Sequence, residues 1–272
     1  MDRPRVGVPS VSNRRLPDHR SGSTQPSLGA MLLGAVGLLL LWQLVVEVFD
    51  IPIWLLPSPL AVARRGAVAL EDGTLLVHLV PTFVESIGGF FVALATGVSL
   101  GYLIALSPQL ERWIAPYLSA LQSVPVIAIA PLLIVWTANG LLRNILVAAL
   151  VVFFPIFSGT VTGLRGIPRE LREVARVEGA NRWQTIRWVE IPLALPTIFS
   201  GFRTSLAYTT TGAVVAEFIG TRYGLGAMIN IARGLLDMPL LFVAIFCLIG
   251  ITLIFYILLT VIERRLTAWR DV

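Results

Sequence analysis

The residues able to carry chemistry in this chain are few, and most are stranded in apolar sequence. Arg203, Glu85 and Glu217 fall inside long hydrophobic runs or near their ends, and the hydroxyl cluster Tyr208-Thr209-Thr210-Thr211 sits in the middle of one. A charge at membrane depth is costly, so it pairs, snorkels or faces a cavity. Arg203 can do each of these, or attract a passing anion. Glu85 and Glu217 are expected at an interface that water reaches. Thr210 and Thr211 can hydrogen-bond either a polar solute or a neighbouring helix. Gln122 and Ser123, beside Pro125, are placed to line a cavity where a helix breaks. Gln122, Ser123, Arg203, Thr210, Thr211 and Glu217 are therefore the candidate residues of a passage through the membrane. Catalysis has little to work with: the one cysteine, Cys247, lies in an apolar run, and the two histidines, His19 and His78, lie outside the runs. No nucleophile has a base beside it, so no catalytic residue, metal or cofactor is expected.

The densest polar stretch, Arg169 to Pro196, carries five arginines (169, 172, 176, 182 and 187) and four glutamates (170, 173, 178 and 190). Pro168 can open a helix at its first turn. Leu171, Val174 and Ala175 would then share one face, with charges around them. Gly179 stops this helix, and Ala180 with Asn181 turns the chain. A second short helix follows, with Trp183, Ile186 and Val189 on one face, and Pro192 and Pro196 close the unit. Such a pair of amphipathic helices either lies on lipid or docks on a protein.

The elements around this insert must cross a bilayer. The chain has 272 residues, 56% of them hydrophobic and 14% charged, which is not a soluble composition. A span needs about 20 apolar residues, and six segments qualify: Leu28–Val48, Thr82–Leu106, Ile114–Trp136, Leu141–Leu164, Leu193–Ile219 and Leu240–Ile262. The first is too long for a signal peptide and is followed by a bulky, Pro-rich stretch with no small-residue cleavage site. With the N-terminus inside, arginines 3, 5, 14, 15, 20, 112, 165, 169, 172, 176, 182, 187, 264, 265 and 270 fall on the inner side. Only 64, 65, 143, 222 and 233 fall outside. That bias puts both termini and the charged insert in the cytoplasm. It also accounts for the basic charge without a nucleic-acid partner. Residues 1–27, rich in Pro, Ser and Arg, read as a disordered cytoplasmic tail ahead of a transmembrane domain, 28–272.

Small residues recur every fourth position at Gly89, Ala93, Gly97, Gly101 and Ala105, and again at Gly212, Ala216 and Gly220. Such stripes let helix backbones approach closely, either for packing or to form a moving pair. Pro125, Pro131 and Pro155 are expected to bend or unwind the third and fourth spans.

Spacing gives the insert a counterpart. Glu173-Val174-Ala175, three residues, Gly179, nine residues, Val189, one residue and Ile191-Pro192 resembles the EAA loop of ABC importer permeases. That pattern reads E-A-A, three residues, G, nine residues, I, one residue, L-P. Leu56–Leu60 (LPSPL), Val124–Pro131 (VPVIAIAP), Ala216–Gly220 (AEFIG) and Gly224–Gly226 (GLG) look like the subgroup serving nitrate, taurine, aliphatic sulfonates and vitamins or their precursors. Trp136–Gly140 departs from the Gly-rich turn of many relatives. The resemblance implies an all-α membrane protein of six transmembrane helices, with a cytoplasmic two-helix coupling loop, 168–192, between helices 4 and 5. It further implies a second permease copy, expected as a homodimer, separate cytoplasmic ATP-binding subunits, and an extracytoplasmic substrate-binding protein. Glu173, Ala175, Gly179, Ala180 and Pro192 would couple the chain to the ATPase. The chain has no G-x-x-x-x-G-K-[ST] loop, and no lysine with which to complete one, so ATP hydrolysis is expected of another subunit. The run Leu141–Phe157 looks closest to pyrimidine and vitamin permeases, so the expected solute is a vitamin or precursor such as riboflavin or a thiamine pyrimidine. Nitrate, taurine or sulfonates are the alternative. An ion-coupled secondary transporter is the alternative of a different class, but it has no use for a docking loop. The expected location is the bacterial cytoplasmic membrane.

Overall fold

The computed structural model describes residues 28–267, so the expected tail, 1–27, lies outside the described residues. Every regular element among these is helical. The described residues up to Leu41 form one unit, and those from Trp42 onward form the other. The first unit is the leading part of α1 (Leu28–Val48), where Leu33, Val36 and Leu38 to Leu41 stand exposed.

The second unit opens with the end of α1 and a short amphipathic helix, α2 (Pro59–Glu71). Ser58 caps α2 by accepting from Ala61 N at 3.2 Å, and Pro59 occupies its first turn, where a missing N–H does no harm. Next come α3 (Thr74–Leu106), α4 (Pro108–Gln122), α5 (Val126–Trp136) and α6 (Gly140–Arg165). Then come α7 (Arg169–Val177), α8 (Arg182–Thr185), a π-helical turn (Ile186–Glu190), α9 (Ile191–Gly220), α10 (Leu225–Gly234) and α11 (Met238–Thr267).

Among the described residues, three helices, α3, α6 and α11, are long and apolar enough to cross a membrane. The expected third span is instead two helices, α4 and α5, bent by 92° at Ser123-Val124-Pro125. The physical reason is Pro125, which forces the residue before it out of helical geometry. Pro155 and Pro131 do not interrupt α6 and α5, which run through them. The expected fifth span, α9, has the length but not the apolarity, because it carries Thr197, Ser200, Thr204, Ser205, Thr209, Thr210, Thr211, Arg203 and Glu217. Several of its hydroxyls are satisfied within the helix: Thr204 donates to Ser200 O at 3.1 Å, Ser205 to Phe202 O at 2.7 Å and Thr209 to Ser205 O at 3.0 Å.

The small-residue stripes are packing surfaces, with α6 held between α3 and α9. A Cβ added at Gly89 would come within 2.6 Å of Ala148 Cβ, one at Gly97 within 2.9 Å of Ile156 and one at Gly101 within 2.8 Å of Thr160. On the other side, a Cβ at Gly159 would lie 2.8 Å from Gly201 Cα, and one at Gly212 would lie 2.8 Å from Ala148 Cα. In lipid there is little hydrophobic gain between helices, so backbone-to-backbone contact of this kind supplies the attraction.

Overpacking a close approach costs about 1–3 kcal/mol. Gly159→Leu and Gly201→Leu are therefore expected to lower the thermal unfolding midpoint of the detergent-solubilised protein. Gly250→Ala, where an added Cβ meets nothing within 4 Å, is the control and is expected to leave that midpoint unchanged or raised.

Candidate functional site

The polar insert folds as a helix, a turn and a helix, each junction built by local hydrogen bonds. The α7 helix ends in paired reverse bonds, from Ala180 N to Ala175 O at 2.9 Å and from Gly179 N to Arg176 O at 3.0 Å. This closure needs a left-handed residue, and Gly179 has φ of +79°. A Cβ at Gly179 would meet nothing within 4 Å, so the requirement is conformational rather than steric. Asn181 then starts α8 with a reciprocal cap: its side chain accepts from Gln184 N at 2.9 Å, and its own N–H donates to Gln184 Oε1 at 2.8 Å. Ala175 and Ala180 are thus the two ends of the same helix stop, half-buried on either side of the glycine.

Pro192 does not close the unit, and neither does Pro196. The helix from Arg182 runs without a break through the π turn into α9 and on to Gly220. Pro192 lies in the first turn of α9 and Pro196 inside it. A proline ring clashes with the carbonyl four residues back. The turn just before Pro192 is widened to an i→i+5 bond, from Ile191 N to Ile186 O, which moves that carbonyl aside.

One ion pair ties α7 to this junction. Arg172 Nε donates to Glu190 Oε1 at 3.1 Å, and Arg172 Nη2 donates to Leu164 O at 2.7 Å at the end of α6. Glu190 is 1% exposed, and its second oxygen has no partner among the described residues. The sequence reading missed both residues; their i, i+18 spacing across a turn carries no periodic signal. Around this anchored frame the outward side is apolar: Val174, Val177, Trp183 and Trp188 are 58%, 86%, 66% and 72% exposed. Glu173 is exposed and has no ion pair or hydrogen bond among the described residues. A rigid pair of helices showing large apolar side chains and a free carboxylate is suited to docking on a protein.

The passage candidates do not gather in one place. Gln122 lines a groove of about 570 Å³, with Leu121, Phe154, Ser158, Thr204 and Tyr208. Ser123 lies in the α4–α5 bend, its hydroxyl donating to Ala120 O at 2.7 Å. Arg203, Thr210 and Thr211 border a separate, mostly apolar groove of about 540 Å³ between α9 and α11. There Arg203 pairs with Glu263, Nε to Oε2 at 2.9 Å, and Thr210 bonds to Thr252 at 2.9 Å. Arg203 therefore holds an intramolecular partner on α11. Glu85 and Glu217 are not interfacial: they are 4% and 1% exposed, inside the packing of α3, α6 and α9. They are buried because the glycine stripes draw these helices together around them. The polar side chains that do share a groove, Gln122, Ser158, Thr204 and Tyr208, come from three helices. Gln122 is named from sequence as a passage candidate and Tyr208 only as part of a hydroxyl run; Ser158 and Thr204 look like ordinary hydroxyls in apolar runs.

Removing Arg172 leaves the buried Glu190 carboxylate without its cation, which costs on the order of 1–3 kcal/mol. Arg172→Ala is expected to loosen the segment, read as faster amide exchange over 169–190. The double variant Arg172→Ala/Glu190→Gln is expected to recover part of the protection. Equal exchange in all three proteins would contradict the anchor.

The chain is similar to known proteins. A family profile described as binding-protein-dependent transport system inner membrane component matches residues 97–268. A riboflavin transport system permease protein of Chloroflexus aurantiacus is 51% identical over 232 residues, covering 85% of this chain and 87% of that protein. A putative aliphatic sulfonates transport permease protein of Bacillus subtilis is 33% identical, covering 89% of this chain and 87% of that protein. A formylaminopyrimidine transport permease protein of Halalkalibacterium halodurans is 29% identical, covering 86% and 92%. In three dimensions the chain is similar to a crystal structure of an amino acid ABC transporter, with a TM-score of 0.56 at 18% identity over 73% of this chain and 97% of that one. Proteins of this kind are transport components of the inner membrane rather than enzymes, and they work with a separate ATPase and a substrate-binding protein. The helical fold, the profile match and the 51% identity together establish that this chain belongs to the binding-protein-dependent transport system inner membrane components, the permease subunits of ABC importers.

Proposed function

We propose that the chain is the permease of a riboflavin importer, or of an importer for a related heteroaromatic vitamin, and that 168–192 is its ATPase-coupling loop. The 51% identity with a riboflavin permease carries the choice of solute. Groove chemistry agrees with it. Tyr208 and Phe154 offer ring faces, and Gln122, Ser158 and Thr204 offer hydrogen bonds, the combination a flat, amide-bearing ring system uses. In this reading Gln122, Ser158, Thr204 and Tyr208 line the passage, whereas Arg203, Thr210 and Glu217 hold helices together.

The topology follows the arginine bias: six spans, with the α4–α5 pair as a broken third, both termini cytoplasmic, and the tail and the coupling loop on the same side. Exposed polar groups at mid-helix, such as Thr204, Tyr208 and Thr211, are unfavourable against hydrocarbon. A second copy of the chain, enclosing a watery passage, removes that cost. Glu173, Ala175, Gly179, Ala180 and Pro192 form the docking joint. Glu173 supplies the charge, Ala175, Gly179 and Ala180 the helix stop, and Pro192 the widened turn into α9. ATPase closure would move the joint, and the continuous helix 182–220 would carry that motion across the membrane.

The test is ATP-dependent uptake into proteoliposomes holding the permease, its ATPase and its binding protein. Riboflavin uptake is expected, unaffected by excess taurine or alkanesulfonate. Glu173→Lys and Gly179→Asp are expected to abolish it with membrane insertion intact, and Tyr208→Ala to slow it. Uptake of sulfonate or nitrate alone overturns the solute. Normal uptake in both Glu173→Lys and Gly179→Asp overturns the joint.

A further inference from the structure

Where α3 and α6 end and α4 and α7 begin, a cavity of about 430 Å³ opens at the base of the coupling loop, apart from both grooves along α9. Ala105, Leu106 and Pro108, where α3 passes into α4, form its apolar side. Arg165, Arg169, Arg172 and Glu111 form its polar side. The space is within the range of small-ligand sites, and nothing in the passage or the docking joint uses it.

Two of the arginines are committed to the fold. Arg165 pairs with Glu111 at the start of α4, and its Nη2 donates to Ile104 O at 3.4 Å. Arg172 holds Glu190, behind the cavity, and Leu164 O. Both thereby satisfy carbonyls left open at the ends of α3 and α6. Arg169 is different: it has no ion pair or hydrogen bond among the described residues. Its neighbour Glu170 does not line the cavity. Against three guanidiniums stand two carboxylates, Glu111 in the wall and Glu190 behind it, which leaves one positive charge, that of Arg169. Arg165 and Arg172 also keep N–H groups to spare, because a guanidinium carries more donors than the bonds each makes here. The nine-residue helix α7 begins beside the cavity, between the lining residues Ile167 and Arg169, and no side chain caps its first N–H groups. Its positive end adds to the same field.

These features call for an anion with a single negative charge and paired oxygens. Arginine forks match phosphate oxygens in that way. The apolar side chooses between sources of phosphate. It is the last turn of α3, a helix long and apolar enough to cross a membrane, so the cavity opens at the depth of lipid headgroups. Basic pockets between membrane helices hold acidic headgroups. A free phosphate dianion carries more charge than the site balances and loses hydration against that wall. A lipid phosphodiester brings one charge and its own apolar part. We propose that this cavity binds the phosphate of an anionic lipid headgroup, with Arg169 as its main cation, and that the lipid fastens the base of the coupling loop to the α3–α4 corner. The site rests on the cavity and its charges alone; its effect on transport rests on the permease assignment.

The test uses the purified full chain in a neutral detergent. Short-chain phosphatidylglycerol, short-chain phosphatidylcholine and inorganic phosphate are titrated separately, and the thermal unfolding midpoint is read. A ligand of the folded state raises that midpoint with its concentration. Phosphatidylglycerol is expected to raise it saturably, and the other two to leave it unmoved at the same concentrations. Arg169→Gln is expected to weaken the phosphatidylglycerol response about tenfold in concentration, the loss of one charge-assisted contact. Arg169→Lys keeps the charge without the fork and is expected to lose less. Arg176→Gln is the control: it removes the same charge from an exposed arginine of the same helix that does not line the cavity, and its response is expected to stay unchanged. Equal responses to phosphatidylglycerol and phosphatidylcholine, or equal weakening in Arg169→Gln and Arg176→Gln, overturn the site. A response to inorganic phosphate that matches phosphatidylglycerol and is lost in Arg169→Gln overturns the lipid and gives the cavity to a free anion. In proteoliposomes, uptake is expected to rise when phosphatidylglycerol is added to phosphatidylcholine, and Arg169→Gln to lose that rise; an equal rise in the variant overturns the link to the coupling loop. A chain that moves no riboflavin but shows the expected midpoints loses its assigned solute and keeps the site.

Discussion

The helix from Arg182 to Gly220 is continuous, and the rest of the structure is arranged around that fact. A helix transmits displacement along its axis because each turn is hydrogen-bonded to the next. Two prolines at its start would ordinarily break it. The π turn at Ile186–Glu190 accommodates the first of them, and it also turns Glu190 inward to meet Arg172. One local distortion thus keeps the helix whole and fastens α7 to its base. The insert and α9 are joined by unbroken helix rather than by a loop.

The helix is also central among its neighbours, and its composition reflects it. Its glycines admit α6 at backbone distance, its hydroxyls bond back to its own carbonyls, and Glu217 closes its far end against α3 and α10. This is also why α9 fails the apolarity expected of a lipid-facing span. One side of it is covered: Phe199, Gly201, Leu206, Gly212, Ala213 and Ala216 are all buried against other helices.

The legible parts of the sequence were those set by local rules. The end of α1, the limits of α6, the start of α7 after Pro168 and the stop at Gly179 follow from apolar length, proline and glycine, and all appear within a residue or two of where those rules put them. Elements set by tertiary contact were not legible. Helix α2 was passed over although Ser58-Pro59 is a cap signal, because the window around it is too polar to span. The persistence of α9 past Pro192 depends on a widened turn that no propensity encodes. Glu85 and Glu217 looked interfacial because sequence shows their distance from the end of a run but not the neighbouring helices that cover them. Arg203 could be read as pairing, snorkelling or meeting an anion, and its partner was not legible because Glu263 lies sixty residues away on α11.

The most direct test of the central claim is the distance between labels at Val177, at the end of α7, and Phe218, near the far end of α9, both exposed. It is to be measured in the assembled transporter without nucleotide and with ATP trapped. If the coupling loop and α9 move as one body, this distance and its width stay the same in the two states while uptake remains intact. A shift or a second population on ATP binding would mean that the junction at Glu190 flexes, and would contradict the account.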